Sequence, residues 1–425
     1  MESFINPARS EWASICRRPV QNDPGLEGRV REILDLVRAD GDAALKVLSQ
    51  KFDGVQLKEI RVSEDEIEAA RAAVSDEVKA AVERACNNVK AFHEAQMPRR
   101  IEVETAPGVL CVQKPVPIRK VGLYIPGGTA PLFSTVIMLA VPAQIAGCSS
   151  RILCTPCRKD GSVSPEVLYT ASRCGITDIF KVGGAQAIAA MAYGTDTIPA
   201  VDKIFGPGNR YVTCAKQIVS GEGTAIDMPA GPSEVMVLAD GTANPAYVAA
   251  DLLSQAEHGR DSQVILVCDD EAVARAALEE VDRQAALLPR GALVESALGF
   301  SRSVVLGSLD EMLEFADSYA PEHLIISMKD AEVVAERVNC AGSVFVGNFS
   351  PESAGDYASG TNHTLPTSGW ARSCSGVNID SFMRKMTLQK LTRDGLAGLA
   401  PTIVAMAEAE GLQAHANAVK VRTDE

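Results

Sequence analysis

The stretch VGLYIPGGTAP, residues 121–131, decides the fold. A short apolar run enters a Pro-Gly-Gly turn, and a helical pattern follows. The same unit returns at RILCT (151–155), DIFKVG (178–183) and KIFG (203–206). Short apolar strands alternating with helices, joined by Gly- or Pro-bearing turns, form a parallel sheet with helices on its faces. The pattern then repeats. After Ser233 come VMVLAD, SQVILVCD, SVVLG, HLIISM and SVFVG, alternating with helices such as AVARAALEEVDRQAALL (272–288). Two α/β domains with a cleft between them are expected.

The flanks read differently. Val30, Ile33, Leu34 and Val37 recur at helical spacing until Asp40-Gly41 interrupts them, and Ser63 with Glu66 forms a capping box ahead of Ile67 and Ala70. The first hundred residues are therefore helical scaffold. From about Asn378 the pattern is helical with no strand, so a long tail must pack on its own body or on a partner subunit.

Composition narrows the function. A chain of 425 residues with formal net charge −14 presents no basic face for nucleic acid or anionic membrane. The N-terminus lacks a secretory signal. The longest apolar run, TVIMLAVPAQIAG from Thr135, is broken by Pro142 and Gln144 and is too short to span a bilayer. A cytoplasmic protein acting on small molecules is expected. Eleven cysteines in such a chain read as reduced thiols, and the pair Cys154 and Cys157 in LCTPC lacks the second pair that a zinc site needs.

Three glycine turns follow successive strands of the first repeat: YIPGGTAP (124–131) with Gly127 and Gly128, VGGAQAIAA (182–190) and FGPGNRYV (205–212). None is G-x-G-x-x-G. Together they mark a ligand-binding edge at the carboxyl ends of the strands, to which Gln186 and Asn209 add polar contacts.

The histidines are sparse. Of five, His93 reads as structural, while His258, His323, His363 and His415 all fall in polar, turn-rich contexts in the later half. Gln255 and His258 in SQAEHG (254–259) share one helix face, close enough for one ion. They equally fit a helix C-terminus capped by a left-handed Gly259. Asp356 and His363 lie in a long loop, NFSPESAGDYASGTNHTLPT (348–367), and loops of that length are usually functional. Glu410 and His415 sit on neighbouring faces of a tail helix, and spacing alone does not choose ligands among these residues. Glu322-His323, just before a strand, pairs an acid with an imidazole suited to accept a proton. The residues thus describe a metal-assisted α/β enzyme with a histidine base and an open substrate.

The segments VGLYIPGGTAPLFSTV, KIFGPGN, IDMPAGPSEV, DLLSQAEHG, PEHL, SPESAGDYASGTNH and EAEGLQAHANAV, in order along nearly the whole chain, resemble the histidinol dehydrogenase family. That resemblance implies a homodimer with one Zn2+ per subunit, oxidising L-histidinol to L-histidine in two NAD+-linked steps through the aldehyde. It makes Gln255, His258, Asp356 and His415 the zinc ligands and Glu322 and His323 the acid and base. Ser233, His363 and Glu410 become substrate contacts alongside the metal ligands and His323, and Tyr124, Gln186 and Asn209 become NAD contacts. Glu410 and His415 are expected to reach the partner's site. Arg210 departs from the pattern, standing where a small residue is expected after Asn209. The competing expectation is a relative that oxidises another polar alcohol.

The expected architecture is two Rossmann-like, aldehyde-dehydrogenase-like α/β domains. Residues 1–22 form an N-terminal arm, 23–117 join 235–377 in the domain bearing metal and catalytic residues, 118–234 form the NAD-binding domain, and 378–425 form a helical dimerisation tail.

Overall fold

The structure, a computed structural model, describes residues 1–19, 23–127, 132–229 and 231–423. Two parallel sheets organise them. Strand Lys120–Tyr124 is central to a five-stranded sheet, with Ser150–Cys154 and Asp178–Phe180 added on one side and Lys203–Phe205 and Ala225–Ile226 on the other. In order of appearance this is 3-2-1-4-5. The second sheet repeats that order around Glu234–Ala239: Gln263–Cys268 and Arg302–Val305 on one side, His323–Ser327 and Ser343–Val346 on the other. The N-terminal strand Glu2–Ile5 extends it to six strands by pairing in parallel with Arg302–Val305.

Burial explains why these strands are uniformly apolar. Val235 and Val237 pack into one core with the helices Pro245–Ala256 and Glu271–Ala285, while Met236 and Leu238 pack into another with Trp12 and helix Leu309–Tyr319. A parallel strand covered on both faces shows no polar alternation. The apolar run from Thr135 forms a core helix, Phe133–Ala146, buried from Ser134 through Ala143. Among the described residues no helix is long and apolar enough to cross a membrane.

Two sequence expectations about domain membership are corrected. Residues 23–117 do not join 235–377. Val30, Leu34, Val37 and Leu45 of helix Leu26–Phe52 pack against helices Gly184–Tyr193 and Arg210–Gly221, and Val82, Ala85 and Val89 of Asp76–Glu94 pack in the core of helix Phe133–Ala146, so both cover the five-stranded sheet. An apolar stripe shows that a helix is covered, not which sheet covers it. The N-terminal arm is a strand and a helix of the other domain. The tail likewise contains a strand: Met383–Leu391 pairs antiparallel with Val109–Pro117, which pairs in turn with Ile101–Ala106. Its residues are exposed on both faces, and a strand that buries neither face carries no periodic signal.

Local readings hold. Gly41 breaks the helical backbone with φ 51°, and Ser63 and Glu66 close a reciprocal capping box.

Candidate active site

One cavity is lined by turns at the carboxyl end of one sheet and by residues at the amino end of the other. In the five-stranded sheet the glycine turns leave the carboxyl ends of Lys120–Tyr124 and Lys203–Phe205, the point where strand order reverses and α/β sheets bind ligands. In the six-stranded sheet the candidate residues stand at the amino ends. Ser233 immediately precedes Glu234–Ala239, and Glu322 precedes His323–Ser327. Helix Pro245–Ala256 follows its strand in an antiparallel return, so its last turn brings Gln255, and the turn beyond it His258, back to that edge.

At the carboxyl ends of the five-stranded sheet lies a cavity of about 1020 Å³ lined by Tyr124, Gly127, Gln186 and Asn209. Tyr124 is buried, and its hydroxyl accepts the Gly184 amide at 3.1 Å. Burial pushes that phenol up to about 12, so it stays neutral. Asn209 caps helix Arg210–Gly221 by accepting from the amides of Tyr211 and Val212 at 3.0 and 3.2 Å. Its oxygen is committed, which leaves its amide N–H groups for a ligand. Pro156 of the LCTPC segment fills the space between two of the turns: a Cβ on Gly127 would lie 2.3 Å from its Cγ. Cys154 and Cys157 are free thiols, Cys154 buried in the core and Cys157 on the cavity wall. Gly128 lies outside the described residues. Arg210 pairs with Asp23 at 3.5 Å.

A second cavity, of about 820 Å³, is lined from both domains by Asn209, Ser233, His258, Glu322 and His363. Glu322 and His323 hang from one residue of the neighbouring strand. The Glu234 amide donates to Glu322 Oε2 at 3.0 Å, and His323 Nδ1 bonds the Glu234 carbonyl at 3.1 Å. A carbonyl accepts only from N–H, so the proton sits on Nδ1 and Nε2 is the basic nitrogen. Among the described residues Nε2 has no hydrogen-bond partner; its near neighbour is Asp356 Oδ1 at 3.9 Å. The Glu234 side chain is itself fixed by Arg18 at 2.7 Å, whose guanidinium lies 3.9 Å over the ring of Tyr319.

His258, Glu352 and Asp356 converge so that their donor atoms lie within 4.8 Å of one another. Asp356 is on a short helix, Glu352–Tyr357, inside what reads from sequence as loop. Gln255 is fully buried beside them, and in the amide orientation that satisfies its hydrogen bonds its N–H groups donate to Glu352. Gly259 does not cap the helix: the cap is Glu257, and Gly259 is absent from the positive-φ residues. His363 bridges the domains, with Nδ1 2.9 Å from the Asp356 carbonyl and Nε2 3.2 Å from Thr135 Oγ1.

Burial dominates the electrostatics. It lifts Glu322 and Glu352 well above the usual carboxylate range and Asp356 to about 7. It drives His323 down to about 3 and His363 to about 4, and it lowers His258, whose ring is open at the cavity wall but otherwise surrounded by protein. Carboxylates whose charge burial disfavours, beside neutral imidazoles and an amide, suit a divalent cation that offsets the charge. With no thiolate among the donors, zinc with positions left open for substrate fits this set.

Glu410 and His415 are not part of the cluster. Gly411, at φ 75°, ends helix Arg393–Ala409 after Glu410 and separates it from helix Gln413–Thr423, which carries His415, so the two do not share one helix. Both residues are exposed. Sequence reasoning missed Glu352, Glu234 and Arg18. Glu352 stands four residues before Asp356, hence on the same helix face, and Glu234 opens an otherwise apolar strand. Arg18 left no signal.

A large cavity at the carboxyl ends of one sheet, meeting at Asn209 a second cavity that holds Ser233, His258, Glu322 and His363, defines the class, an α/β enzyme with its site between two domains. The sequence profile of the histidinol dehydrogenase family matches residues 16–423. The histidinol dehydrogenase of Bacteroides thetaiotaomicron is 54% identical over 422 residues, 99% of each chain. That of Aliivibrio fischeri is 50% identical over 418 residues, 98% of this chain and 94% of its own. The crystal structure of the Elizabethkingia anophelis histidinol dehydrogenase, 52% identical, superposes with a TM-score of 0.98 over 100% of this chain and 98% of that one. The chain belongs to the histidinol dehydrogenase family, oxidoreductases acting on an alcohol and aldehyde with NAD.

Proposed function

We propose that the protein oxidises L-histidinol through L-histidinaldehyde to L-histidine, using two NAD+ and one zinc ion per subunit, and so completes histidine biosynthesis in the cytoplasm. The observation that carries this reading is the cavity shared by the two domains, where Ser233, His258, Glu322 and His363 stand with Asn209, which also lines the nucleotide-side cavity.

Gln255, His258 and Asp356 would hold the zinc, completed by His415 of a second subunit, while Tyr124, Gln186 and Asn209 contact the dinucleotide. Bound zinc supplies an anchor for the substrate's imidazole and amino nitrogens, and NAD+ accepts the hydride. In the first oxidation His323 Nε2 takes the hydroxyl proton. Its Nδ1–H is held on the Glu234 carbonyl, so the ring does not turn. In the second, Glu322 draws a proton from the water that hydrates the aldehyde while His323 returns its proton to the aldehyde oxygen; Glu322 Oε2 is tied to the Glu234 amide, which leaves Oε1 for water. His323 then takes a proton from the hydrate. Ser233, His363 and Glu410 contact the substrate.

The partner is a second copy of the chain. What supports this is a tail whose polar site residues stand away from its own cluster, together with exposed apolar residues: Ile101 and Val103, Met386 and Leu388 of the three-stranded sheet, and Met406 and Val421 of the tail helices.

The test is NADH formation on histidinol before and after chelation, with zinc added back. Activity is expected to vanish and return; turnover by the chelated enzyme refutes the metal role, and no turnover with zinc present refutes the substrate. A heterodimer of His323 and His415 variants is expected to recover activity, and no recovery refutes the shared site.

A further inference from the structure

Glu352 is not among the residues assigned above, yet it is the most enclosed carboxylate of the cluster, 1% exposed. In the amide orientation that satisfies both ends, Gln255 Nε2 donates to Glu352 Oε1 at 2.5 Å and to Oε2 at 3.2 Å. Gln255 is fully buried as well, so water does not compete for that amide. A glutamine amide is nearly symmetric in shape, and only its oxygen binds a cation. Rotation about its last torsion would turn two N–H groups toward the ion. A carboxylate gripping the nitrogen prevents that rotation and keeps the oxygen on the opposite side of the amide.

We propose that Glu352 is a positioning residue that makes Gln255 a metal ligand. This rests on the zinc reading above. The alternative role for Glu352, direct ligation, draws on its place within 4.8 Å of the donors of His258 and Asp356. Both of its oxygens are engaged by the Gln255 amide, and this favours the positioning role. Outer partners of this kind typically change metal affinity by ~10–100-fold when removed.

The test is zinc affinity of the metal-free full-length protein, measured by competition with a chromophoric chelator, for wild type, Glu352→Ala, Gln255→Ala and the double variant. Glu352→Ala is expected to weaken zinc binding ~10–100-fold. The double variant is expected to bind no more weakly than Gln255→Ala alone, because the effect of Glu352 passes through Gln255. Glu352→Gln keeps an acceptor oxygen and is expected to lose less; it replaces Glu352→Ala in the same cycle if thermal melts show that the alanine variant does not fold. Zinc affinity unchanged in Glu352→Ala overturns the proposal. So does a double variant weaker than Gln255→Ala by the full factor of the single change, which would make Glu352 an independent ligand. A wild-type protein that binds no zinc refutes the metal reading itself, and the two failures are told apart by which protein fails.

Discussion

Replacing Gly206 by alanine puts the nucleotide side of the site to a quantitative test. Gly206 opens the Gly-Pro-Gly-Asn turn at φ 126°, and a Cβ there would lie 2.0 Å from the Tyr124 carbonyl oxygen and 2.9 Å from its carbonyl carbon. Relief requires a shift of about 1 Å, since carbon and oxygen in contact sit more than ~3 Å apart. The turn has little room to yield. The Gly206 amide donates to Asp227 at 2.8 Å, its carbonyl accepts from Lys216 at 2.9 Å, and Lys216 and Asp227 form a buried ion pair with each other. Backbone strain contributes ~1–3 kcal/mol and overpacking a further ~1–3 kcal/mol. At roughly 2–4 °C per kcal/mol, Tm falls by roughly 5–20 °C. Asn209 lies three residues on, and a misplacement of ~1 Å costs up to ~100-fold, so the KM for NAD+ is expected to rise at least ~10-fold. Thermal melts and initial rates at varied NAD+ measure both. Gly28→Ala, where nothing lies within 4 Å of the added Cβ, is the control. A Gly206→Ala enzyme with the Tm and KM of the control refutes the reasoning.

His323→Asn retains an N–H able to reach the Glu234 carbonyl but removes the base, so kcat is expected to fall ~10²–10⁴-fold with the fold intact; initial rates and a melt check this, and a fall below tenfold counts against His323. Phe382→Ala removes a fully buried ring stacked 4.1 Å from Phe205, with an expected cost of ~3–5 kcal/mol in denaturant unfolding. Asp251 is lifted by burial to about 7, above its unfolded value of ~3.9. The folded state therefore holds a proton that the unfolded state releases, and stability falls as pH rises through that window. Asp251→Asn is expected to raise the Tm of the metal-free protein by roughly 2–4 °C at pH ~8 and not at pH ~4; an equal gain at both refutes the assignment.

The two sheets were legible because a strand buried on both faces is an unbroken apolar word, and VGLYI, VMVLAD and HLIISM are such words. The Gln255–His258 pair stood out in the sequence as two residues of one helix face, but the helix ends at Ala256 and His258 stands in the turn beyond it. Spacing also misled: Glu410 and His415 looked like one helix until Gly411 divided it, and Gly259 looked like a cap. Residues 26–94 were assigned to the wrong sheet, and Met383–Leu391 passed unnoticed as a strand, because both depend on contacts made across long separations. Glu234 is the clearest limit. Its contribution to the site runs through its backbone N–H and C=O, which every residue but proline possesses, so its side chain does not announce it.

That arrangement couples two side chains mechanically. One peptide strand, held in the interior of a six-stranded sheet, carries the anchor points of both Glu322 and His323, so the two side chains form a single rigid unit. A displacement of that strand carries both side chains with it, so the spacing between Glu322 and His323 is insulated from shifts of the five-stranded sheet across the cavity.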